Sequence, residues 1–97
     1  MNKQNKSFTL NSGYYKILHV VDSLNQNDDY PLPQGVYKIL KGTVDEETKK
    51  YQNLDTFGSS ISYTSKKVSR FVTMLIRYDY LKKKYDPNTD ELYLEIT

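Results

Sequence analysis

From Ser12 to about Gln26, apolar residues recur at Tyr14, Ile17, Leu18, Val21 and Leu24, in the three- and four-residue steps of one helical face. This predicts a first helix starting at Ser12 or Gly13, with Ser12 as its N-cap. The following stretch NQNDDYPLP gathers turn formers and ends in two prolines that a helix interior does not tolerate. Pro33 then suits the first position of a second helix that buries Val36, Ile39 and Leu40 and stops at Gly42. Residues 43–53 are polar, and Thr43 and Glu46 stand at capping-box spacing, so a loop with one helical turn and solvated acids is expected. Leu54 and Phe57 anchor the next segment, and Gly58 marks a turn. A third helix runs from about Ser65 to Tyr78, capped by Thr64 or Ser65, and buries Val68, Phe71, Val72, Leu75 and Ile76. The closing runs YLKKKY and ELYLEIT alternate in character around DPNTD, the pattern of a hairpin. In it Leu92, Leu94 and Ile96 point one way and Tyr93, Glu95 and Thr97 the other. Met1 to about Leu10 has no clear period and is expected to be a mobile tail, with Phe8 and Leu10 able to dock on the core.

Helix, helix, helix, hairpin is the order of a winged helix-turn-helix, an α+β class in which the hairpin is the wing. The division is a flexible tail at 1–11 and one domain at 12–97. Ninety-seven residues allow a single modest core. With no cysteine, neither a disulfide nor a Cys-based zinc site stabilises it. The polar start and the lack of any membrane-length apolar run point to a cytoplasmic protein without membrane contact.

Charge changes the picture. The net charge is only +2, yet between Tyr63 and Lys84 seven lysines and arginines stand against a single aspartate, so the rest of the chain is acidic. On the third helix Lys66, Arg70, Thr73 and Arg77 fall in one narrow arc opposite the apolar stripe, with Lys67 beside them. A helix that buries one face and offers this row on the other suits phosphate contacts. Thr73 and Met74 are placed to meet base edges if the helix enters a major groove.

Five stretches together resemble the winged-helix RQC domain of RecQ-type DNA helicases. They are Ile17 to Val21 (ILxxV), Ile39-Leu40-Lys41-Gly42-Thr43, Leu54-Asp55-Thr56-Phe57-Gly58 (similar to L-x-T-[FY]-G), Leu75-Ile76, and Tyr80-Leu81 with 92–97. The resemblance covers about Ser12 to Thr97. It implies binding to duplex or forked DNA as an accessory of a helicase motor outside this chain. It places contacts at Lys38 and Lys41, at Ser59, Ser60, Thr64, Ser65 and Lys66, and at Lys82, Lys83 and Lys84. Two features depart from the family pattern. RecQ helicases usually carry a four-cysteine zinc subdomain before this module, and this chain has no cysteine, so any such subdomain lies outside it or never existed; the wing apex, residues 86–90, lacks the aromatic pin that some members use to separate strands. Tyr85 is the nearest aromatic.

Other chemistries fare less well. Asp86, Asn88 and Asp90 have the spacing that opens an EF-hand loop, but Glu91 replaces the glycine and Thr97 the closing glutamate, so the segment is a turn and no metal is expected. His19 has Asp22 within helical reach and no second ligand or nucleophile. No glycine motif forms a P-loop, and no cofactor, small-molecule substrate or catalytic group is expected. Most of the ten tyrosines suit the edge of the core, while Tyr63 and Tyr85 bracket the basic segment and are kept as contacts. The alternatives are a sequence-specific regulator, for which a dimerisation element is lacking, and a protein-interaction module whose basic face docks an acidic partner.

Overall fold

The computed structural model describes residues 8–97, and most of the expected tail lies outside the described residues. Three helices, α1 (Ser12–Asn25), α2 (Pro33–Lys41) and α3 (Ser65–Arg77), are followed by strands β1 (Leu81–Asp86) and β2 (Glu91–Ile96). The strands pair antiparallel from Leu81 opposite Ile96 to Asp86 opposite Glu91. All five elements feed one core. It contains Ile17, Val20, Val21 and Leu24 of α1, Val36, Ile39 and Leu40 of α2, Val68, Val72 and Leu75 of α3, and Leu81 and Leu94 of the hairpin.

Local chemistry sets the ends of the helices. Asn11, not the expected Ser12, caps α1, its side-chain oxygen accepting the Tyr14 N–H at 3.0 Å. The buried face of α1 is also turned slightly from expectation, with Val20 fully buried and Leu18 and Tyr14 only packed against the core. Phe8 and Leu10 do dock, and the Phe8 ring stacks on Tyr78 with centroids 4.2 Å apart. At the end of α2, Gly42 takes a left-handed φ of 83°, while its N–H reaches the Ile39 carbonyl and the Thr43 N–H reaches Lys38. This double closure satisfies the last carbonyls of the helix. Asp79 plays the same part after α3 at φ 66°, with its N–H on Ile76 and the Tyr80 N–H on Leu75.

Residues 43–64 form a chain of turns around a short 3-10 segment, Lys49–Tyr51. The expected box between Thr43 and Glu46 is displaced by two residues. Asp45 accepts the Thr48 N–H while the Thr48 hydroxyl accepts the Asp45 N–H, both at 3.0 Å. The displacement buries Thr48, whose hydroxyl also donates to the Thr43 carbonyl. The other end of this segment is stitched to α2: the Gly58 N–H donates to Ile39 at 2.8 Å and the Ser60 N–H to Leu40 at 2.9 Å. A Cβ on Gly42 would lie 3.0 Å from the Gly58 Cα, so both positive-φ glycines serve one close backbone approach.

The hairpin is secured from the other side. The Leu94 N–H donates to the Pro31 carbonyl at 2.8 Å, and the Asn25 side chain accepts the Ile96 N–H at 2.9 Å. The outer edge of β2 is thus covered by the α1–α2 connection. Among the described residues no helix is long and apolar enough to cross a membrane.

Candidate nucleic-acid interface

Thr64 begins the site. Its hydroxyl accepts the Lys67 N–H at 3.1 Å, which caps α3 and leaves Ser65, Lys66 and Lys67 in the first turn. That turn has no acid, and neither has the rest of α3. Two lysines at the positive end of a helix dipole oppose it, a cost of about 0.3–1 kcal/mol for each at low ionic strength. An anion held there would relieve that opposition.

Lys66, Arg70, Thr73 and Arg77 are all exposed on the outer face, as the periodicity predicts. No carboxylate lies within ion-pair distance of Lys66, Arg70 or Arg77 among the described residues. The row extends roughly 16 Å along the helix, at 1.5 Å per residue. Between the long cations, Ser69 is exposed and the Thr73 hydroxyl turns back to the Ser69 carbonyl at 3.0 Å. Small side chains there allow a polyanion to approach the helix closely.

Lys67 leaves this row. Its ammonium lies over the Tyr63 ring, 4.5 Å from the centroid, and 5.7 Å from that of Phe71. Tyr63 itself is half-buried, edge-on to Phe71 at 6.2 Å, so it braces the approach to α3 and does not stand out as a free aromatic platform. Sequence reasoning missed Lys16. From α1 its ammonium reaches Ser60 Oγ at 3.0 Å and the Ser59 carbonyl at 3.3 Å, with the Tyr63 centroid 5.9 Å away. The periodicity of α1 carries no signal for a partner 44 residues distant.

Several expected contact residues are engaged in other ways. Ser60 is buried, its hydroxyl on Lys16 and its N–H on Leu40, so it is withdrawn from a surface contact. Ser59 is exposed but presents its carbonyl to Lys16. Lys38 is held by Asp45 at 2.9 Å and Glu47 at 3.0 Å, with only 20% of its side chain exposed. The acids expected to be merely solvated therefore neutralise this lysine. Hydrogen bonds to Asp45 first, and then to Glu47, raise the Lys38 pKa. Lys38 in turn holds the Asp45 carboxyl down to about 2, helped by the Thr48 and Glu47 N–H groups. Lys41, at the end of α2, remains exposed and unpaired among the described residues.

On the wing, Lys82 faces Glu95 at 3.9 Å and Lys84 lies 5.0 Å from the Tyr30 centroid, whereas Lys83 is exposed without such a neighbour among the described residues. Tyr85 is 56% exposed, and its hydroxyl donates to Asp90 at 2.7 Å. The apex is a turn, as expected, in which Asp86 accepts the Asn88 N–H, and no acidic or histidine cluster among the described residues is suited to a metal. His19 pairs with Asp55 at 3.3 Å in place of Asp22, which accepts from Gln26. The chain matches no protein-family model, and no curated protein is significantly similar to it in sequence.

Proposed function

We propose that this chain is a winged-helix domain that binds duplex or forked DNA through backbone phosphates, with no catalysis of its own. The observation that carries the reading is the acid-free outer face of α3, where Lys66, Arg70 and Arg77 project without ion-pair partners among the described residues. Structural roles account for Lys16, Lys38 and Lys67, whose ammonium groups are occupied by oxygens or rings. They do not account for this row. Lys41, the exposed Thr64 and Ser65 that open α3, and Lys83 on the wing add further exposed cationic and polar side chains. Contacts of this kind position a duplex and make affinity depend on salt, with little discrimination between sequences.

The RQC-like reading, in which the domain is the cytoplasmic accessory of a RecQ-like helicase motor, is part of the proposal. It is supported by the meeting in space of two stretches that carry the resemblance. Gly58, which closes the Leu54–Gly58 stretch, donates to Ile39 and touches Gly42 of the other. Fluorescence anisotropy with blunt duplex, forked duplex and single strand at two salt concentrations tests the proposal. Duplex or fork binding that weakens steeply with salt supports it, and no binding of any nucleic acid at low salt refutes it.

A further inference from the structure

The strand β1 has two edges, and among the described residues only one is used. Because the Leu94 and Ile96 N–H groups donate away from β1, to Pro31 and Asn25, the pairs Leu94–Lys83 and Ile96–Leu81 are the non-hydrogen-bonded pairs of the ladder. The N–H and C=O groups of Lys82 and Lys84 therefore turn inward to β2, and those of Lys83 and Tyr85 turn outward. The outward groups of Lys83 and Tyr85 make no hydrogen bond to any described residue. Residues 82–85 are all exposed. A bare strand edge of this kind can be extended by another chain.

We propose that the outer edge of β1 docks an extended acidic segment of a partner protein, added as a third strand. The inner edge indicates the chemistry such a segment needs. There β1 pairs with ELYLEI, which sets Glu91 and Glu95 on the face of Lys82 and Lys84, and Leu92, Leu94 and Ile96 on the face of Lys83 and Tyr85. Tyr85 and Leu92 are opposite each other and remain 56% and 45% exposed, so an apolar strip on that face is still open. A partner that alternates acids with aliphatic residues would place its acids beside Lys82 and Lys84 and its aliphatics beside Tyr85. A second copy of this chain does not fit. Its β2 edge is already covered, and joining two β1 edges antiparallel about Lys83 would set Lys82 of one copy against Lys84 of the other. The DNA proposal is carried by the side chains of α3 and shares only Lys83 with this edge, using its ammonium, whereas the edge uses its outward main-chain groups with the charges of Lys82 and Lys84 beside them.

The test is a titration of the full chain, observed by amide NMR, with a blocked Glu-Leu-Glu-Leu-Glu-Ile hexapeptide and with its Lys-for-Glu counterpart. The acidic peptide is expected to shift the Lys83 and Tyr85 amides and slow their exchange, leaving Lys82 and Lys84, already bonded within the hairpin, little changed. The lysine counterpart should not bind. Lys83→Pro removes an outward N–H, a position where an edge strand tolerates proline, and should weaken the peptide by about tenfold or more. Lys83→Ala keeps the N–H and should retain most of the affinity. Persistent protection of the Tyr93 and Glu95 amides, which bond across the ladder to β1, reports that the hairpin of the proline variant is intact, and the wild-type exchange pattern decides the matter if it is not. No binding of the acidic peptide, or binding that leaves the Lys83 and Tyr85 amides unmoved, overturns the proposal and makes the three lysines a guard against edge pairing. A duplex that protects these two amides when the peptide does not would assign the edge to phosphate instead.

Discussion

At the scale of single residues, three left-handed positions hold the connections that aim α3. Gly42 and Gly58 are backed against each other, so Gly42→Ala combines the cost of a positive φ with a Cβ 3.0 Å from the Gly58 Cα. Gly58→Ala meets its nearest atom only at 3.8 Å. Urea denaturation should therefore find Gly58→Ala destabilising by about 1–2 kcal/mol and Gly42→Ala by more. Asp79 is the reverse case, an acid in a left-handed C-terminal closure at the negative end of the α3 dipole. Asp79→Gly should stabilise the domain by up to about 1 kcal/mol in the same assay. Asp45 gives the pH dependence. Its pKa falls from 3.8 to about 2 on folding, so its pairing with Lys38 supports the native state above pH 3.8 and is lost as pH drops toward 2. Asp45→Asn should remove that portion of the acid transition, observed by circular dichroism between pH 4 and 2. Were the variant to unfold along the wild-type curve, the Lys38–Asp45 pair would contribute nothing.

At the scale of elements, α3 contains a conflict that helix stability alone does not explain. Lys66 occupies the second position of a helix whose first turn should favour acids, and it is exposed. Lys66→Glu removes that cost and adds a favourable acid, and is accordingly expected to raise stability by roughly 0.6–2 kcal/mol at low ionic strength while weakening duplex binding. A variant that is both less stable and unimpaired in binding would show that the lysine serves the fold. Much of this element was legible from sequence, because a period of 3.6 fixes both the apolar face and the arc opposite it. The hairpin and the shared face of Leu92, Leu94 and Ile96 followed from alternation in the same way. In the connection at 43–64 the helical turn and the turn at Gly58 were legible, but the packing was not. Its order depends on contacts distant in sequence, such as Gly58 with Ile39 and Ser60 with Lys16, and no local pattern encodes them. For the same reason Lys38 and Ser60 were expected on the contact surface, although the acids of residues 45–47 and the ammonium of Lys16 engage them. The N-cap of α1 shifted by one residue because both Asn11 and Ser12 suit that role and only the geometry of the chain's entry chooses between them.

At the scale of the whole molecule, one small core orients two surfaces of different character. Lys38, Lys49 and Lys50 are all paired with acids, on the α2 side and in the connection that follows it. The outer face of α3 has cations and no acids, and it is here that the central claim can be tested. The most direct measurement is the slope of log affinity against log salt for a blunt duplex, in the wild type and in the triple variant Lys66→Ala, Arg70→Ala, Arg77→Ala. Contacts from these three residues, Lys41 and Lys83 predict a slope of roughly −4.5, a loss of about five-hundredfold between 50 and 200 mM salt, with the triple variant keeping only about two fifths of that slope. A wild-type affinity insensitive to salt, or a triple variant that keeps the full slope, would contradict the assignment of DNA to this face.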